Sequence, residues 1–195
     1  MKCLLMGCGG REAIIAEKLS EKFELYAVIS HENPSIVETV EKSGGKYIVD
    51  KKYNKEGIKQ FIKENEIEYC VVNSDNLLQD GMIDLARECG LKTFGPTSKG
   101  ARIEWDKEYA LSVVEKVAPE SLVKSYIISN KEEFEKVKST YSDENFVVKP
   151  NGLTAGKGVK VGGEHFKTLE EGMDYAKECL ENDGVVIIQD KNSRS

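Results

Sequence analysis

The sequence predicts an α/β fold: a Rossmann-like parallel sheet over residues 1–97, a helical connector over 98–119 and a small α+β unit over 120–195. Three observations predict it. Short apolar runs alternate with helix-period segments of about ten residues through the first part, the pattern of βαβ units with helices covering a parallel sheet. The first strand runs into a glycine-rich turn that opens a helix. From Ser98 the alternation gives way to one long helix-period segment, and a second group of strands and helices follows it.

Residues 2–6 are apolar after Lys2 and read as a strand, which Gly7-Cys8-Gly9-Gly10 breaks before Ile14, Ile15 and Leu19 resume at helical spacing. Residues 24–29 form a second apolar run that ends at Ser30-His31-Glu32-Asn33-Pro34, where turn formers and proline stop it. A helix over 35–43, a short strand over 46–49 and a helix over 57–65 come next, the last with Ile58, Phe61 and Ile62 on one face. A strand over 69–72, a helix over 82–89 closed by Gly90 and a strand over 92–94 complete the first sheet. The long helix from Ser98 to about Val117 is interrupted by Pro119. Beyond it, strands are expected over 123–129, 146–149, 158–161 and 185–189, and helices over 131–141 and 168–181. Thr168 and Glu171 have the spacing of an N-cap and the third helical residue.

Composition narrows the function classes. With 39% hydrophobic residues, four prolines and a net charge of −6 from 28 basic and 34 acidic side chains, the chain folds rather than remaining disordered. It lacks the basic stripe of a general nucleic-acid binder. No stretch approaches the roughly 18 consecutive apolar residues of a membrane span, and the start reads as a strand and not a secretion signal. The five cysteines are odd in number and form no CxxC pair, which points to a reducing, cytoplasmic compartment and against a zinc knuckle.

Two segments carry chemistry. The turn Gly7-Cys8-Gly9-Gly10-Arg11-Glu12 offers bare backbone N–H groups and a positive helix end to a phosphate or carboxylate, with Arg11 as a bidentate donor. The dinucleotide fingerprint fails, because Glu12 stands where a third glycine is needed and Ser30-His31 where a carboxylate should close the second strand. The second segment, residues 146–159, delivers Lys149 from a strand into a loop with Gly152, Gly156, Lys157 and Gly158. Such a loop can close over polyphosphate, although it is not a Walker A loop and also reads as a plain glycine-rich hairpin. His31 and His165 are expected on surface loops, Cys8 as a packing residue close to a helix start, and Trp105 in the core.

Taken in order, Gly7-x-Gly9-Gly10-Arg11-Glu12, Phe94-Gly95-Pro96-Thr97, Ala101-Arg102-Ile103-Glu104-x-x-Lys107 and Lys149-x-x-Gly152-Leu153-x-Ala155-Gly156-Lys157-Gly158-Val159 resemble the phosphoribosylamine–glycine ligase family of the ATP-grasp superfamily. The resemblance implies a pre-ATP-grasp domain followed by the ATP-grasp lid subdomain. It implies ATP and Mg²⁺ as cofactors, and small-molecule partners only: ATP, glycine and 5-phosphoribosylamine, joined in purine synthesis. By the same likeness Lys107, Lys149, Gly152, Ala155, Gly156, Lys157, Gly158 and Gln189 bind ATP, while Gly9, Gly10, Arg11 and Asp75 hold the phosphoribosyl substrate.

The chain departs from that family's pattern. Ala13 replaces a usual histidine, residues 73–78 read Asn-Ser-Asp-Asn-Leu-Leu in place of Gly-Pro-Glu-x-Pro-Leu, Asn151 replaces an aspartate, and Ile188-Gln189 replaces a glutamate pair. Adenine contacts are then expected from the backbone of residues 186–189. The family's chain continues for at least as many residues again, into the half that supplies the magnesium ligands, so a fragment without turnover is expected, with no metal ligands and no assigned catalytic residue of its own. A short non-catalytic nucleotide or sugar-phosphate binder, or an ATP-grasp ligase for another substrate, remains the alternative.

Overall fold

The structure is a computed structural model that describes residues 1–154 and 157–191. Contacts group the chain into two units, Met1–Ala101 and Arg102–Ser195. In the first, five strands, β1 (Lys2–Met6), β2 (Glu24–Ile29), β3 (Tyr47–Val49), β4 (Tyr69–Val72) and β5 (Lys92–Phe94), form one sheet in the order β3-β2-β1-β4-β5. Every pair is parallel, with Leu4 opposite Tyr26 on one side and Cys70 on the other.

The helices α1 (Gly10–Ser20), α2 (Pro34–Lys42), α3 (Lys55–Glu64), α4 (Asp75–Gln79) and α5 (Met82–Glu88) lie between the strands in sequence. Because β1 and β2 are covered on both faces, their sequences are continuous apolar runs rather than alternating ones. Cys3, Leu5, Leu25, Ala27 and Ile29 pack with Ala16 of α1 and Ile36 and Val40 of α2. The intervening residues, Leu4, Met6, Tyr26 and Val28, are also buried and face the other way; the Tyr26 ring meets Phe61 of α3 edge to face at 6.0 Å. Side-chain caps begin α2 and α3, where Asn33 accepts from the Ser35 amide and Asn54 from the Gly57 amide.

The second unit holds β6 (Ser125–Ile128), β7 (Phe146–Pro150), β8 (Lys160–Val161) and β9 (Val186–Asp190), antiparallel in the order β6-β9-β7-β8. Two helices numbered after those of the connector, α8 (Lys131–Lys138) and α9 (Leu169–Asp183), share one core with it: Phe134, Val137, Met173, Ala176 and Cys179 meet Ile128, Phe146, Val148, Val186 and Ile188. Thr168 caps α9 as expected, accepting from the Glu171 amide at 3.2 Å, and Glu171 accepts in return from the Lys167 amide.

Two expectations are corrected. The helix read from Ser98 to Val117 is two helices, α6 (Ser98–Trp105) and α7 (Lys107–Val117), followed by a short 3₁₀ turn at Pro119–Ser121. Asp106 separates them: its backbone is extended (φ −116°, ψ 94°) and its carboxylate accepts from the Tyr109 amide at 3.0 Å, so it starts a new helix. Residues 75–79, to which no element is assigned from the sequence, form α4, where Leu77 and Leu78 are buried.

Candidate functional site

In the first unit the strand order reverses between β1 and β4, and in open parallel sheets the crevice at the carboxyl ends of such strands is where ligands bind. The sequence places Gly7–Gly10 after β1 and Asn73 after β4, at that crevice. Gly7 has φ +123°, and a Cβ there would stand 2.8 Å from Glu12 Cγ; one on Gly9 would stand 2.6 Å from Glu12 Oε2. The glycines make room for a carboxylate. Glu12 is 5% exposed and folds back so that Oε2 accepts from the Gly9 amide at 2.9 Å, while Oε1 lies 3.5 Å from the Asn73 side-chain amide.

Glu12 therefore holds the turn in shape, a role missed from sequence, where it registered only as a broken fingerprint. The signal that finds it is its position, third in the helix, from which a carboxylate reaches back to the N-cap amide. Gly9, Gly10 and Arg11 are exposed at the start of α1, and nothing lies within 4 Å of a Cβ built on Gly10. Asp75 is exposed at the start of α4. Beside the turn, Cys8 Sγ lies 3.0 Å from Ser30 Oγ and 3.4 Å from His31 Nδ1, and the Asn33 amide donates to the Cys8 carbonyl. Burial near this group pushes the Tyr53 hydroxyl up to about 12. His31 and His165 are exposed, as expected.

In the second unit, the alternation of β7 turns Phe146 and Val148 into the helix-covered core and Lys149 to the opposite face, opposite Ile187 of β9. The first residue of α7, Lys107, approaches it. Lys107 and Lys149 are both half-buried. Desolvation holds the Lys107 ammonium below its ordinary value, the Lys149 charge lowers it further, and Asp183 opposes both. Desolvation alone lowers Lys149. Neither is in any ion pair among the described residues; the Lys107 ammonium donates instead to the Gly152 carbonyl.

The loop after β7 is shaped by contacts of its own. The Lys157 amide donates to the Thr154 carbonyl at 3.0 Å, the Tyr175 hydroxyl to the Gly158 carbonyl at 2.8 Å, and a Cβ on Gly158 would stand 2.6 Å from Pro150 Cγ. Lys157 is exposed. Ala155 and Gly156, both expected in the ATP lid, lie outside the described residues. The lysine pair that the fold assembles is thus Lys107 with Lys149. Sequence singled out both but had no means of pairing residues 42 positions apart.

Gln189 lies within the second sheet. It is 8% exposed on β9, and its side-chain amide donates to Ser125 Oγ at 2.6 Å. β9 is paired on both edges, with β6 and β7, so the backbone of residues 186–189 takes part in the sheet ladders. Trp105 is half-buried rather than core, and its indole N–H is buried with no acceptor among the described residues. No group of three or more His, Cys, Asp or Glu among those residues is placed to hold a metal ion.

Solved structures share this fold, a parallel sheet with a glycine turn at its switch point followed in the chain by a smaller antiparallel unit. The phosphoribosylamine–glycine ligase of Thermotoga maritima matches 98% of this chain and 44% of its own, with TM-score 0.67 and 21% identity. The biotin carboxylase domain of Hydrogenobacter thermophilus 2-oxoglutarate carboxylase matches with TM-score 0.71 and 17% identity, over 96% of this chain and 43% of its own.

The family is narrower than the fold. Residues 1–104 match the family described as phosphoribosylglycinamide synthetase, N domain, and the chain belongs to it. The phosphoribosylamine–glycine ligase of Methanopyrus kandleri is 36% identical over 98% of this chain, and that of Methanocella arvoryzae 35% identical over 96%. The chain spans 43% and 42% of those two proteins.

Proposed function

We propose that this chain is the nucleotide-lid and phosphoribosyl-binding portion of a phosphoribosylamine–glycine ligase. Lys107 and Lys149 take the phosphates of ATP, and the α1 turn takes the phosphate of 5-phosphoribosylamine. In the whole enzyme the glycine carboxylate attacks the γ-phosphate, releasing ADP and leaving glycyl phosphate. The amine of phosphoribosylamine then attacks the acyl carbon, losing a proton as inorganic phosphate departs and the amide forms. Such phosphoryl transfer asks of the protein mainly orientation and charge neutralisation, which ammonium groups and backbone amides supply. Magnesium, when bound, would offset the phosphate charge; its ligands are expected outside this stretch. We assign Gly9, Gly10 and Arg11 to the phosphate, Asp75 to polar groups of the sugar, Lys157 and Gly158 to the lid, and the chain to the cytoplasm, where its five cysteines stay as free thiols.

One observation carries the ATP assignment: two neighbouring half-buried ammonium groups, one of which depresses the other's protonation, have no carboxylate in ion-pair range among the described residues. Like charges so placed are unfavourable until an anion joins them. Isothermal titration of Mg-ATP into the wild type and the Lys107→Ala and Lys149→Ala variants tests it. Each variant is expected to bind about tenfold more weakly or worse. Equal affinity for all three overturns the assignment.

A further inference from the structure

We propose that Asp106 and Asn151 are a matched pair of positioning residues that fix where Lys107 presents its ammonium group; the proposal rests on the reading of Lys107 as an ATP-phosphate ligand. The first amides of a helix have no partner within it and must find one elsewhere. The Lys107 amide finds Asn151 Oδ1 at 2.8 Å, on the loop that follows β7. The other end of the same side chain, Asn151 Nδ2, lies 3.4 Å from Asp106 Oδ1. Asp106 is 8% exposed and accepts besides from the Tyr109 amide at 3.0 Å and from Arg102 Nε at 2.9 Å. The start of α7 is thereby tied to the strand end that carries Lys149, and the Gly152 carbonyl next along accepts from the Lys107 ammonium.

Only a side chain with an acceptor on one end and a donor on the other satisfies both contacts at residue 151. An aspartate there still accepts from Lys107 but sets its second oxygen against the Asp106 carboxylate, and leucine serves neither contact. The Asp106 carboxylate therefore favours asparagine over aspartate at 151. Both oxygens of Asp106 are already engaged as acceptors, Oδ1 by the Tyr109 amide and Asn151 and Oδ2 by Arg102, so residue 151 must bring the donor.

Trp105, the only tryptophan of the chain, adjoins Asp106 and reports ATP titration by its emission, while thermal melts report folding. Asn151→Leu and Asn151→Asp are each expected to weaken ATP binding by about tenfold. In a Lys107→Ala background, Asn151→Leu is expected to have no further effect, which a merely structural role does not produce. If Asn151→Leu binds ATP like the wild type while Lys107→Ala is weakened, or if the leucine effect persists undiminished in the Lys107→Ala background, the positioning role is overturned. If Lys107→Ala itself changes nothing, the ATP reading beneath it fails instead. Should Asn151→Leu not fold, Asn151→Asp decides: ATP affinity equal to that of the wild type overturns the proposal.

Discussion

Lys107 and Lys149 hold charge where the folded protein disfavours it, and the sign of the resulting pH dependence follows. Both sit below the ordinary lysine value of 10.5 in the folded chain, Lys107 through desolvation first and its neighbour's charge second, Lys149 through desolvation. The unfolded chain therefore binds more protons as pH rises through the lowered folded values towards 10.5, and in that window folding stability increases with pH. At neutral pH the handicap is present in full. Lys149→Met, which keeps the stem and removes the charge, is expected to melt higher than the wild type at pH 7 and to lose most of that advantage as pH approaches 10.5, while binding ATP about tenfold more weakly. Melts at a series of pH values, with the titration repeated, check both halves. A Lys149→Met chain that melts lower at pH 7 contradicts the account.

At the scale of elements, the strand, turn and helix that open the chain separate what shapes the turn from what it presents. Gly7 and Gly9 are required by the Glu12 carboxylate folded beneath them, whereas a Cβ on Gly10 meets nothing within 4 Å. Gly10→Ala is thus expected to leave the melting temperature unchanged or to raise it, by up to about 1 kcal/mol of stability as alanine replaces glycine in a helix. It should also weaken binding of ribose 5-phosphate, whose phosphate the Gly10 amide would meet. Gly9→Ala displaces Glu12 and is expected to lower both. Ribose 5-phosphate binding by Gly10→Ala equal to the wild type removes the turn from the substrate site. The strands of this element and its neighbours were legible in the sequence because continuous apolar runs between glycines and prolines have few other readings. The break at Asp106 was not: no glycine or proline falls between Ala101 and Val117, and only the capping geometry, with the Asp106 carboxylate accepting from the Tyr109 amide, ends one helix and starts another. The lysine pair was half legible. Each lysine stood out in its own segment, but their meeting depends on strand alternation in β7 and on a side-chain bond from Asn151 to the start of α7.

For the whole molecule, the chemistry that these residues supply and the length of the relatives lead to one expectation. The groups proposed to meet phosphate are cationic side chains or amide donors: Arg11 at the turn, Lys107 and Lys149 in the second unit, and the backbone N–H groups of α1. Groups of this kind neutralise and orient phosphates, yet phosphoryl transfer to a carboxylate also calls for a divalent ion held against the transferring group, and oxygen ligands hold magnesium best. Among the described residues no three His, Cys, Asp or Glu side chains converge, and the chain spans 43% of the Methanopyrus kandleri ligase. The 195-residue chain is therefore expected to bind ATP without consuming it. With Mg-ATP, glycine and phosphoribosylamine generated in place, ADP release followed by a coupled assay should not exceed the protein-free blank, while calorimetry on the same preparation shows nucleotide binding that Lys149→Ala abolishes. ADP release at about one turnover per second or faster, an ordinary enzymatic rate, shows instead that these residues complete a catalytic site by themselves. Binding without release shows that gripping the triphosphate and activating it are separable tasks, with the first encoded in the lysine pair.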